Sequence, residues 1–277
     1  QNNENVRLAN EEHDTSADFL KSLYAGDVKG VLEKLRKFNS SKGVGGNCKT
    51  MILIDGTNSM GKLLDKTKTA VQKMLKMIKK VLKDNQIDPS KVLMKLAVYR
   101  NYDQRKELLY QESTWETDAQ NLTRFLREIN CVGGWGKEAL EVGLLKAIEE
   151  IPNGLQQIIV IGDMAPNLES DIAYKQQDEH GKEYWDTNMP NIKHVDFYVE
   201  ELKRHAIPIH TMYLQDEAKD SFVRISEDTL GKSYYLDVTQ KDAADKLIEV
   251  VNVQILERMG NPKLLESYRA SYGISFT

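Results

Sequence analysis

Asp55, Thr57 and Ser59 stand at alternate positions of the stretch MILIDGTNSMGK (51–62), directly behind a run of apolar residues. Alternate positions in such a loop can turn three short oxygen side chains toward one point. Oxygen is what hard cations take: Mg2+ wants oxygens at about 2.0–2.1 Å in near-octahedral geometry and usually keeps some of its waters. Two hydroxyls and an indirect carboxylate would leave a divalent ion underneutralised and open to a carboxylate from outside. The same residue types also make turns. An Asx turn at Asp55, with Ser or Thr capping the next helix, accounts for them without any ligand. The loop alone leaves both readings standing.

The elements that must position this loop follow from periodicity. TMILI (50–54) is short, apolar and followed by turn residues, the pattern of a buried strand. Residues 62–83 form a long amphipathic helix pattern, and 92–100 a second strand. KELLYQE (106–112) reads as a third strand at the sheet edge. A helix is predicted over 117–130, with Thr117 and Asp118 as cap candidates. VGGWGKE (132–138) is a glycine turn, followed by a helix over 138–151 and a buried strand over 155–163. A long loop carrying Tyr174, His180, Tyr184 and Trp185 precedes a helix over 193–205. Then come a strand over 207–214, a short helix over 221–230, a strand at KSYYLD (232–237) and a last helix over 241–257.

Strands alternating with helices imply βαβ units. The fold class is therefore α/β: a doubly wound, Rossmann-like, mostly parallel sheet with helices on both faces and one antiparallel edge strand. Ligands of such sheets bind at the carboxyl ends of the strands, near the point where strand order reverses. Asp55 and Asp163 each end a buried strand, where a site is expected. Upstream, apolar residues at helical spacing over 16–38, interrupted by AGDVKG, predict a short N-terminal helical extension. NSSKGVGGN (39–47) is a linker. The domains are thus 1–47, 48–257 and a C-terminal extension, 258–277.

Composition removes several function classes. The 277 residues carry a net charge of −4, with 40% apolar and 29% charged residues, so nothing global attracts nucleic acid or an anionic membrane. VQKMLKMIKKVLK (71–83) reads as a solvated helix face. No apolar run approaches the roughly 18 residues of a membrane span. Cys48 and Cys131 are the only cysteines, outside any CxxC, which favours a reducing, cytoplasmic setting. The opening Gln is expected to mark an internal or processed piece of a longer chain.

Enzyme motifs are missing as well. A D-x-D-x-T phosphotransferase loop needs an acid two residues after Asp55, where Thr57 stands. Gly61-Lys62 continues into Leu63 and not into a P-loop, and GTNSMG lacks the glycine offset of a G-x-S-x-G elbow. The five histidines include no HExxH pair. His210 reads as a core residue and His180 as a loop histidine.

ILIDGTNSM, IIVIGDMAPN, VYRNYDQ, HGKEYWD and GKEALEVGLLKAI together resemble a von Willebrand factor A domain over 49–257, most of the chain. The resemblance is nearest to the intracellular subgroup associated with alpha-type kinases, which carries YRDY, GGGD-x-PEA and DAPPHG stretches. It implies a metal-ion-dependent adhesion site with Asp55, Thr57, Ser59 and Asp163 as ligands of a Mg2+. It further implies a non-catalytic protein–protein interaction module whose partner offers an Asp or Glu to the ion. Contacts would come from an upper face that includes Trp135, Asn58, Glu138 and Asp103. The glycine loop departs from the pattern, because Trp135 or Gly136 falls where the family's third ligand belongs. Lys137 adds positive charge, and Asn101 stands for the subgroup's usual Asp. Glu138 is a substitute ligand or only a complement to a helix dipole. Trp135 either fills the vacated ligand space or projects outward as an anchor. Two alternatives follow from this degeneracy: a metal-free scaffold domain, or a regulatory domain beside a kinase-like catalytic unit outside these residues.

Overall fold

A computed structural model describes residues 47–274 of the chain. Strand β1 (Cys48–Asp55) runs into a single 3-10 turn (Asn58–Met60) and then helix α1 (Gly61–Asp84). Next come β2 (Val92–Tyr99), a helical turn α2 (Lys106–Leu109), β3 (Tyr110–Glu112), α3 (Ala119–Glu128), α4 (Leu140–Glu149) and β4 (Gln157–Gly162). Then follow α5 (Glu169–Asp178), α6 (Lys182–Asn188), α7 (Val195–Arg204), β5 (Ile209–Tyr213), α8 (Asp216–Asp228), β6 (Ser233–Tyr235), α9 (Ala243–Arg258) and α10 (Pro262–Tyr272).

The six strands lie in the order β3-β2-β1-β4-β5-β6, and only β3 runs antiparallel to its neighbour. Alternation along β1 shows why the sheet is covered on both faces. Ile52 and Ile54 join a core with α1, α3, α9 and α10, whereas Met51 and Leu53 join a second core with α4, α7 and α8. Strand order reverses between β1 and β4, the two central strands. Their register pairs Ile54 with Ile161, so the chain leaves both strands at nearly the same level, at Asp55 and at Asp163.

Three segments differ from the sequence expectation. Residues 106–109 coil into a helical turn before the strand begins, because Leu109 is drawn into a small third core beside Tyr102 and Trp185. The loop expected around Tyr174–Trp185 holds helices α5 and α6. Trp185 is fully buried there, edge-on to Tyr102 at 5.1 Å, and its indole N–H donates to the Glu179 carbonyl at 2.8 Å. Few apolar residues anchor these two helices, so they show little periodicity in the sequence. Finally, α9 is not the last helix: α10 follows, with Leu264 and Tyr268 buried against α1 and α9. The predicted helices at 16–38 lie outside the described residues.

Leu264 is fully buried although it lies in the stretch read as a C-terminal extension. Leu264→Ala is expected to cost about 2–5 kcal/mol, the usual penalty for a cavity in a packed core. A urea midpoint unchanged from the parent chain would mean that α10 is not part of the folding unit.

Candidate functional site

Three loops meet above the carboxyl ends of β1 and β4, and backbone hydrogen bonds join them. Val132 N–H donates to the Gly56 carbonyl at 3.1 Å, and Asn58 N–H to the Gly133 carbonyl at 3.1 Å, tying the β1 loop to the glycine loop. Glu138 N–H donates to the Ala165 carbonyl at 3.0 Å, and Asn167 N–H to the Glu138 carbonyl at 2.9 Å, tying the glycine loop to the segment after β4. Beneath them Arg100 is fully buried, its guanidinium donating to the carbonyls of Gly56, Leu108 and Asn130. A buried cation is tolerated when its donors are satisfied in this way.

The glycines have a local reason. Gly133 and Gly134 adopt φ values of 74° and 120°, in the range L side chains avoid. A Cβ at Gly134 would sit 3.5 Å from the Thr57 Cβ and 3.7 Å from the Glu138 Oε1. Thr57 and the Glu138 carboxylate therefore close on the same spot. Asp103 fixes that spot by accepting from Gly134 N–H at 3.2 Å and from the Gln104 amide at 3.1 Å.

Asp55 is completely buried and accepts from both the backbone N–H and the hydroxyl of Thr57, each at 2.8 Å. Thr57 and Ser59 hydroxyls lie 3.2 Å apart, and Ser59 is exposed. Thr57 thus belongs to an Asx-type turn at Asp55, as the residue types alone allow, but neither Thr57 nor Ser59 caps the next helix through its side chain. Asp163 is buried and accepts from the Gln215 amide at 3.3 Å. One oxygen in each of three buried carboxylates, Asp55 Oδ2, Asp163 Oδ1 and Glu138 Oε2, accepts no hydrogen bond from the chain. Glu141 Oε2, also buried, is likewise without a partner, and a proton shared between Asp55 and Asp163 accounts for that pair without a ligand. Among the described residues, no group of three His, Cys, Asp or Glu side chains is placed to hold a metal ion.

No family model matches the sequence, and no curated protein matches it. Among solved structures, the chain is similar to a von Willebrand factor type A protein from Catenulispora acidiphila, at 12% identity and a TM-score of 0.47, over 76% of this chain and 43% of that one. It is also similar to proximal thread matrix protein 1 of the mussel byssus, at 9% identity and a TM-score of 0.47, over 76% of this chain and 46% of that one. The open conformation of the pilus adhesin SpaC from Lactobacillus rhamnosus GG matches at 13% identity and a TM-score of 0.49, over 76% of this chain and 30% of that one. The chain thus spans less than half the length of each.

The remaining residues singled out in the sequence are placed as follows. Asn58 is exposed on the rim. Trp135 is half-buried, its ring 5.7 Å from that of Tyr174. Glu138 is buried beneath this surface, so it faces the recess and not a partner. Lys137 turns away, its ammonium 3.2 Å from Asp171. Asn101 has a use that an Asp would not serve, since its amide donates to the Lys137 carbonyl at 2.5 Å. Lys175, which the sequence did not single out, is the basic residue of the recess. Its ammonium donates to the carbonyls of Trp135 and Lys137 and to Asn167 at 2.7–2.8 Å and lies 5.4 Å from the Trp135 ring. Helical spacing on α5 carried no signal for it; only the packing of α5 against the glycine loop places it.

Electrostatics follow from burial. Desolvation raises the Asp55 carboxyl above the ordinary range, and the charge of Asp163 adds to the effect. Desolvation also raises Glu138, with Asp55 next and Lys175 opposing. Glu141, below them, is pushed up to about 7 by burial against the opposing hydrogen bonds from Asn167 and Tyr102. Unfolded carboxyls titrate near pH 4. Between that and neutral pH the folded chain holds protons the unfolded chain has released, so stability falls as pH rises. In EDTA the chain is expected to melt lower at about pH 8 than at about pH 5.5. Asp55→Asn, which keeps the acceptor for Thr57, is expected to melt higher than the parent and to flatten that slope. A parent chain that is more stable at the alkaline end would contradict the assignment.

Proposed function

We propose that the chain is a von Willebrand A-type interaction domain that holds a divalent cation above β1 and β4 and presents it, with the surrounding rim, to a protein partner. The observation that carries this reading is the set of unpaired, buried carboxylate oxygens on Asp55 and Asp163, beside the Thr57 and Ser59 hydroxyls. A hard cation takes such oxygens. Mg2+ or Mn2+ bound there would offset the repulsion between the two acids and leave coordination positions toward solvent. The exposed Asn58 and Ser59, with half-buried Trp135 against Tyr174, supply the contact rim; aromatic residues of this kind often anchor interfaces.

The role is non-catalytic in this reading. Thr57 holds the position of a second acid, and its hydroxyl already donates to Asp55. A place near the alpha-kinase-associated subgroup, and with it a regulatory role beside a catalytic unit, is supported by the sequence stretches alone, and Asn101 departs from that pattern. Cys48 and Cys131 are both free, which supports a reducing, cytoplasmic setting. No described helix is long and apolar enough to cross a membrane. A metal-free scaffold is favoured by the glycine loop's lack of a ligand, by the absence among the described residues of three acidic, His or Cys side chains placed to hold an ion, and by Lys175, which lies close enough to Glu138, Asp171 and Glu141 to offset part of their charge.

Melting with Mg2+ or Mn2+ against EDTA separates the two readings. A cation at about 100 times its dissociation constant adds about 2.7 kcal/mol to the folded state. The parent chain is expected to gain stability of that order and Asp163→Ala to gain none. If the parent is indifferent to both ions, the scaffold reading replaces this one.

A further inference from the structure

The second half of α1 carries Lys76, Lys79, Lys80 and Lys83 with no acid until Asp84. By its sequence this stretch is a solvated helix face, but in the fold it borders a groove of about 390 Å3. The four lysines line that groove together with buried Leu75 and with Ala119, the first residue of α3. Lys76, Lys79 and Lys83 share one face of α1, at i, i+3 and i+7. Lys76 and Lys83 are exposed and Lys79 is half-buried. The ion pairs of α1 are made by other residues: Lys68 with Asp65, Lys73 with Asp245, and Lys80 with Asp84. Among the described residues no carboxylate pairs with Lys76, Lys79 or Lys83. Asp118, the other acid of the lining, is engaged by its own helix and accepts from Gln120 N–H at 2.9 Å. The groove therefore holds three ammonium groups that no acid of the described chain neutralises.

We propose that the groove between α1 and α3 is a docking site for a short acidic segment of a partner protein. From Lys76 to Lys83 the helix rises about 10 Å, at about 1.5 Å per residue. About three residues of extended chain cover that length. A run of Asp and Glu lying along the groove thus meets all three ammonium groups. Nucleic acid is a poorer fit. Its affinity comes from many phosphates engaged along a track, whereas this chain carries a net charge of −4 and is basic here only over a short length. An anionic membrane fits less well too, because interfacial binding buries apolar side chains, and none of the large exposed ones lines the groove. α1 starts at the carboxyl end of β1, so its second half lies toward the opposite end of the sheet from Asp55. Docking there needs no cation and leaves the upper face free.

The test is fluorescence anisotropy of labelled hexaglutamate with the full chain, in EDTA and at low salt, where surface charge is least screened. Lys79→Gln/Lys83→Gln is expected to bind at least fivefold more weakly than the parent and to melt at the same temperature. Lys219→Gln/Lys263→Gln changes the net charge equally at exposed positions outside the groove and is expected to bind as the parent does. Equal binding by the parent and the groove variant would overturn the site, as would an equal loss in the control variant. A lower melting temperature of the groove variant would assign its loss to folding and overturn the site as well. No binding by the parent, or equal binding of hexaglutamine, would also do so. Tighter binding of phosphatidylserine vesicles or of a six-phosphate oligothymidylate than of hexaglutamate would replace the acidic segment as occupant. Self-association of the parent that the groove variant loses would give the groove to a second copy of the chain and overturn the acidic partner.

Discussion

Keeping several carboxylates out of water in one recess is unfavourable twice over, because each loses hydration and each repels the others. The surrounding structure is arranged to resist that force. Asp55 ends β1, Asp163 follows β4 and Glu138 lies just before α4, so three separate segments must be held together against this repulsion. Backbone hydrogen bonds from Val132 to Gly56 and from Glu138 to Ala165 join those loops, and Arg100 fastens the lower layer to three carbonyls. The sheet contributes by register, delivering Asp55 and Asp163 from neighbouring strands at one level. Peptide hydrogen bonds and strand pairing thus set the separation of the charges, and the acids themselves only oppose it.

The sheet was the most legible part of the chain. The apolar runs at 50–54, 92–100, 155–163 and 207–214 each became a strand, and their alternation with helices implied the parallel order observed. The edge strand was legible only in part, since Leu109 answers to a local core that no period of the sequence reveals. The two helices around Trp185 were missed for a related reason. Their stability comes from a few large contacts to Tyr102, Ile172 and Met189, and a sparse pattern of that sort reads as a loop.

At the site, residue type and strand position drew attention to Asp55, Thr57, Ser59 and Asp163, and only the resemblance made them a ligand set. What could not be read was direction. Lys137 looked like a competing charge beside the site, yet it pairs outward with Asp171. Lys175, forty residues beyond the glycine loop in sequence, supplies the ammonium instead. Glu138, expected among the contact residues, is buried, whereas Trp135 is half-buried against Tyr174. Such choices depend on which loop lies over which, a relation set by crossovers and not by neighbouring residues.

The sheet ends on both sides in strands of three residues, β3 and β6. A sheet edge offers unpaired N–H and C=O groups on which another chain can grow, and brevity is one of the ways proteins blunt that hazard. Here the longer, mostly apolar strands lie in the middle, and each border gives an incoming strand little length to grip. Among the described residues, this brevity works against edge-to-edge polymerisation of the sheet.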